Sequence, residues 1–364
     1  MASAIPLLAE FGQSAWYDNL TRELARGGID RLVAEHDIRG VTSNPTIFEK
    51  AMAGGTDYDA QLHDLTAAGL STEDAYWELV LTDIADAADR LRAVHDRSGR
   101  ADGFVSVEVS PHLARDADRT AAQARELWER VGRPNLMIKI PATSEGLPAI
   151  SATLAAGINV NVTLIFSLAR YGEVIDAFMD GLERLRAAGG DAAGVASVAS
   201  FFVSRVDTET DRRLPDGSPL RGRAAVANAK LAYQLFLERF GSARWEALAA
   251  AGAARQRPLW ASTSTKNPAY SPTLYVDTLV GTDTVNTLAQ ASVDVLAAGD
   301  IDLRADAILE DVDGARRLVD EELPAAGVDF GDVTDTLERE GVDAFAQSFD
   351  DALATLAAKA RDLG

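Results

Sequence analysis

The sequence predicts an α/β protein, a closed (β/α)8 barrel with additional helices. Short β-like runs alternate with longer helical patterns from end to end. Eight such runs fall within roughly 300 residues, more than an open sheet usually holds. Consecutive runs also carry an apolar face and a polar face while helical patterns stand between them, which requires parallel strands covered on the outside.

The expected strands are Ser14–Asp18, Gly40–Ser43, Phe104–Ser110, Leu136–Pro141, Ile158–Leu164, Val195–Val203, Leu259–Ser264 and Leu274–Leu279. Among the helices, "STEDAYWELVLTDIADAADRLRAVHD" opens on Ser/Thr, has acids in its first turn and repeats apolar residues at helical spacing. "SLARYGEVIDAFMDGLERLRAAGG" follows the same pattern and ends in glycines. From about residue 300 to 364 no strand is evident; "AILEDVDGARRLVDEELPAAG" and "FAQSFDDALATLAAKARDLG" read as helices on the outside of the barrel. With no repeat and no linker, the expectation is one domain over residues 1–364, with 300–364 a helical extension packed on the barrel.

Composition narrows the function. The 364 residues are 47% hydrophobic and 25% charged, as in soluble globular proteins. There is no cysteine, so disulfides and thiolate metal sites are excluded and a reducing cytoplasm is compatible. The N-terminal stretch lacks a basic region followed by a long apolar core, and no run reaches the roughly 18 apolar residues of a membrane span. A cytoplasmic protein without a membrane partner is expected. A net charge of −21 disfavours nucleic acid. An anionic ligand would need local cations, and lysine occurs only at Lys50, Lys139, Lys230, Lys266 and Lys359. His36, His63, His95 and His112 show no ligand spacing, so no metal centre is expected, and "AAGGDAAGVASV" lacks the order of a dinucleotide or P-loop fingerprint. The oligomeric state stays open, a homodimer included.

Lys139 is the anomaly. It sits inside "NLMIKIPAT", between two isoleucines, where an ammonium is costly to desolvate. Alternation places Leu136, Ile138 and Ile140 opposite Met137, Lys139 and Pro141. In "FVSVEVS" the valines oppose Ser106, Glu108 and Ser110; in "INVNVTL" Val160, Val162 and Leu164 oppose Asn159, Asn161 and Thr163. An antiparallel sheet with one wet side would also give this pattern. With parallel strands the polar faces point into the barrel, and Lys139, Glu108, Asn161 and Thr163 converge at the strands' C-terminal ends. Burial and neighbours there can depress a lysine's pKa and leave an amine able to attack a carbonyl.

At these residues the sequence resembles the transaldolases, most closely their longer bacterial (type 2) members. The segments "GVTSNPTIF", "VSVEVSP", "LMIKIPAT", "INVNVTLIFS", "VASFFVSRVD" and "LWASTSTKNPAY" occur in family order across essentially the whole chain. The resemblance implies a (β/α)8 barrel and Schiff-base chemistry without metal or organic cofactor. It also implies transfer of a dihydroxyacetone unit from sedoheptulose 7-phosphate to glyceraldehyde 3-phosphate, giving erythrose 4-phosphate and fructose 6-phosphate in the non-oxidative pentose phosphate pathway. Residue by residue, Lys139 matches the Schiff-base lysine and Asp18 the carboxylate that takes and returns the hydroxyl proton. Glu108 and Thr163 match the pair that holds a water. Asn44 and Asn161 match donors to the dihydroxyacetone hydroxyls, Thr42 is a supporting contact, and Ser200 matches the serine near the substrate's C1 end. Arg205, Ser264 and Lys266 fall where phosphate is met. Lys266 stands where shorter family members carry arginine, so a point charge replaces a bidentate fork there.

Other readings stay open at this level. The same lysine would serve a fructose-6-phosphate aldolase, and the same polar set a non-catalytic sugar-phosphate-binding barrel. Lys139 and Glu108 would also satisfy one another as a buried ion pair. Asp18 also suits an N-cap for "NLTREL", and Arg205 has Asp207 and Glu209 nearby in sequence as partners.

Overall fold

Eight parallel strands run consecutively around a barrel that closes because β1 (Gln13–Asp18) pairs with both β2 (Gly40–Thr42) and β8 (Thr284–Leu288). The intervening strands are β3 (Phe104–Glu108), β4 (Leu136–Pro141), β5 (Val160–Ile165), β6 (Ser197–Phe202) and β7 (Arg257–Ala261). The computed structural model describes residues 3–299 and 301–363.

Register decides which face each side chain takes. Glu108 stands opposite Lys139, and Lys139 opposite Asn161, so all three point to the same side of the sheet. Their neighbours Val105, Val107, Ile138, Ile140, Val160 and Val162, on the other face, are at most 1% exposed. Both faces of these strands are therefore covered, and the half-wet antiparallel alternative does not hold. The helix signals act as read. Ser71 accepts from the Asp74 N–H to cap the helix Thr72–Arg97, and Ser167 accepts from the Arg170 N–H to cap Leu168–Ala187.

Two expectations need correction. The segment Leu274–Leu279 is not the eighth strand; Leu274–Asp277 forms a short helix, and the strand is Thr284–Leu288. Tyr275 donates to the Asp207 carboxylate and Thr273 to Asp277, contacts that hold "LYVD" in its turn despite its β-like composition. The true strand, "TVNTL", has only two aliphatic residues and so gave a weak signal. The C-terminal region also does more than cover the outside. Its helix Phe330–Leu363 packs against the helix Pro45–Ala53, the helix Ser204–Arg213 and the end of β5, which carries it across the C-terminal end of the barrel.

The opposite, N-terminal end is closed by a polar plug. Asp102 accepts hydrogen bonds from Ser14 Oγ (2.8 Å), Trp16 Nε1 (2.9 Å) and Arg257 Nη2 (3.0 Å), linking β1, the entrance to β3 and β7. Asp102→Ala removes the counter-charge of Arg257, which keeps its bonds to Ser14 Oγ and the Ala101 carbonyl, and leaves the Trp16 N–H without its acceptor, so unfolding free energy should fall by about 2 kcal/mol. Denaturant unfolding measures this, and a loss under about 1 kcal/mol would mean that water replaces the carboxylate.

Candidate active site

The C-terminal mouth of the barrel encloses a cavity of about 420 Å³ whose walls include Asp18, Thr42, Asn44, Lys139, Ser200 and Arg205. Larger recesses, about 450 to 630 Å³, open elsewhere, but none gathers the polar groups from the strands' C-terminal ends. Active sites of this fold lie at that end.

Lys139, near the end of β4, is 4% exposed. Its Nζ donates to the Ser43 carbonyl at 3.2 Å and lies 3.5 Å from Glu108 Oε2, an ion-pair contact without the alignment of a hydrogen bond. The ion pair expected as an alternative thus exists, but it is loose, and the same amine faces the cavity. Burial pushes the Glu108 carboxyl up to about 7; the neighbouring Lys139 opposes that rise and Asp18 adds to it. Glu108 Oε2 and Thr163 Oγ1 are both buried without a hydrogen-bond partner among the described residues.

Asp18 ends β1, where its Oδ1 accepts from Thr42 Oγ1 at 2.8 Å. It does not cap the next helix; Thr21 Oγ1 accepts from the Leu24 N–H instead. Asn44 caps the helix Pro45–Ala53 through its Oδ1, which accepts from the Ile47 N–H and so commits only the acceptor half of its amide. Asn161 lies deeper, fixed by donation to Ser106 Oγ (3.0 Å) and acceptance from Ser200 Oγ (2.7 Å).

Arg205, in the first turn of the helix Ser204–Arg213, has no ion pair or hydrogen bond among the described residues. Its sequence neighbours are taken: Asp207 accepts from the Ala225 N–H and Tyr275, and Glu209 pairs with Arg212 and Arg213. Burial pulls the guanidinium pKa below its ordinary value, with Asp18 and Glu108 opposing. Lys266 and Ser264 lie farther out on the loop after β7. They bond to each other at 2.8 Å and stand outside the cavity wall, where Ser262 takes the place nearer β7. Lost hydration and then the nearby Arg205 hold the Lys266 pKa below the usual lysine value.

A buried amine, a carboxylate and an arginine without an ion pair around one cavity, with the raised Glu108 carboxyl behind the amine rather than in the cavity wall, suit attack on the carbonyl of an anionic sugar. Residues 15–356 match the family model described as Transaldolase/Fructose-6-phosphate aldolase. The chain belongs to the transaldolase family. It is 52% identical to the transaldolase of Thermobifida fusca and 50% identical to that of Saccharopolyspora erythraea, over 97% of each chain in both comparisons. Transaldolase 2 of Streptomyces coelicolor is 46% identical, over 100% of this chain and 99% of its own.

Within this transaldolase the cavity also has walls that the sequence did not reveal: Phe202, Ser262, Thr287 and Phe345. Phe202 and Thr287 lie on the inward faces of β6 and β8, and finding Thr287 required the correct eighth strand. Ser262 has a left-handed φ of 57°, so strand alternation ends just where it would have been used to place this residue. Phe345 comes from the C-terminal helix, and no pattern in its sequence distinguishes it from a core residue.

Proposed function

We propose that this transaldolase works through an imine on Lys139, with the surrounding residues dividing proton transfer, hydroxyl recognition and phosphate binding. The position of Lys139 carries this reading: an almost fully buried amine at a barrel strand's end, facing the cavity and tethered only by a carbonyl and a loose ion pair. The lysine nitrogen attacks C2 of the keto-sugar, and loss of water leaves a protonated imine that accepts the electrons of the C3–C4 bond. Asp18 takes the C4-hydroxyl proton as the aldose leaves and returns a proton when the bound enamine attacks the acceptor aldehyde. Glu108 and Thr163 direct the water lost and regained at C2. The support is that one oxygen on each lacks a protein partner and that the Glu108 carboxyl titrates near neutrality.

Asn44, Asn161, Thr42 and Ser200 recognise the dihydroxyacetone hydroxyls, Thr42 also orienting Asp18 and Asn161 acting from below through Ser200. Arg205 receives phosphate, supported by the absence of any ion-pair or hydrogen-bond partner for its guanidinium among the described residues, with Ser264 and Lys266 assisting at the rim. Purified enzyme supplied with fructose 6-phosphate and erythrose 4-phosphate should form glyceraldehyde 3-phosphate; no product would end this reading.

Lys266→Ala should raise KM for phosphorylated sugars by about fivefold with little change in kcat, because an exposed ion pair contributes at most about 1 kcal/mol and acts on ground and transition states alike. Steady-state kinetics distinguish this from a kcat defect at unchanged KM, which would give Lys266 a role in the chemistry.

A further inference from the structure

We propose that Phe345 is a positioning residue for phosphate recognition: the C-terminal helix inserts its ring at the barrel mouth, where it fixes the Arg205 guanidinium. This inference rests on the reading of Arg205 as the phosphate receptor. An arginine without an ion pair or hydrogen bond has many accessible rotamers and would lose that freedom on binding an anion. Here the freedom is already restricted. The Arg205 Cζ lies over the Phe202 ring at 5.2 Å and over the Phe345 ring at 6.0 Å, within reach of cation–π attraction from both. Aromatic rings accept through their faces and leave the N–H donors of the guanidinium for a phosphate.

Phe202 belongs to β6, but Phe345 is 4% exposed and comes from a distant part of the chain. Its place depends on how closely the helix seats. Gly341, one turn earlier on the same face, permits the approach. A Cβ there would lie 3.0 Å from Leu164 Cδ2, a tight contact with the end of a flexible side chain, and 3.7 Å from Arg205 Nη1, so at this point the helix sits directly against both residues. One turn later the helix is pinned. Phe349 packs edge-on against Tyr76 (5.0 Å) and His112 (5.6 Å), Ser348 Oγ bonds to Thr46 Oγ1 (2.7 Å), and Asp350 meets His112 (2.7 Å). The same Phe345 ring stands 5.9 Å from Lys139 Nζ, so a single side chain borders both the cation for phosphate and the reacting amine.

The test compares erythrose 4-phosphate with unphosphorylated erythrose as acceptor, at saturating fructose 6-phosphate, with released glyceraldehyde 3-phosphate as the common readout. Phe345→Leu keeps most of the volume and removes the ring. It should lower the preference for the phosphorylated acceptor, as a ratio of kcat/KM values, by about tenfold and through KM. Thermal melts report whether each variant is folded. Arg205→Ala runs in parallel. If Arg205→Ala leaves the ratio intact, phosphate is bound elsewhere and the underlying reading fails. If Arg205→Ala collapses the ratio but folded Phe345→Leu retains it, the Phe345 proposal alone is overturned.

Discussion

Exchanging Lys139 for methionine should abolish turnover, with kcat/KM falling by roughly 10⁵-fold or more, since no other group can form the imine. The fold should survive. Lys139 is the main neighbour opposing the burial that raises the Glu108 pKa; without the ammonium that carboxyl rises further and stays protonated at neutral pH. A neutral acid costs far less to bury than an isolated carboxylate, so no uncompensated charge is left behind. The variant should therefore give a cooperative melt close to the parent's while showing no exchange of sugar phosphates. Retention of more than about a thousandth of the parent activity in clean preparations would contradict covalent catalysis at this position.

The second large effect is expected from Glu108→Gln. A carboxyl that titrates at about 7 can give and take protons at physiological pH, and such groups contribute roughly 10²- to 10⁴-fold to rate. Glutamine is nearly isosteric and still bonds water but transfers no proton, so kcat should fall within that range. The parent's kcat/KM should change with pH through an inflection near 7 that reflects the free enzyme, and the variant should lose it. The sign of the stability linkage is fixed by the same shift. A carboxyl raised in the folded state favours folding below its unfolded value of about 4.5, and that contribution is lost as pH rises to about 7. An unchanged inflection in Glu108→Gln would assign the titration to another group.

Much of this site was legible because three consecutive strands each set a polar face against an apolar one. Alternation alone placed Glu108, Lys139 and Asn161 on one side, and the parallel register then aligned them in space. The pattern fails wherever the backbone leaves strand geometry. Ser262 turns left-handed directly after β7, and the eighth strand was read too early because "LYVD" is more β-like than "TVNTL". Local reading also left Asp18 ambiguous between a cap and a catalytic group; Thr21 supplies the cap, which releases the carboxylate for Thr42 and the cavity. Phe345 was beyond reach for a different reason. An aromatic residue in an amphipathic helix satisfies the periodicity of a core position, and only the path of that helix across the barrel mouth gives it another role.

The most direct test is to add borohydride during turnover of fructose 6-phosphate, then digest the protein and weigh its peptides. The account predicts a reduced three-carbon adduct on Lys139 and on no other lysine. An unlabelled Lys139, or an adduct on Lys50 or Lys266 in its place, would contradict it.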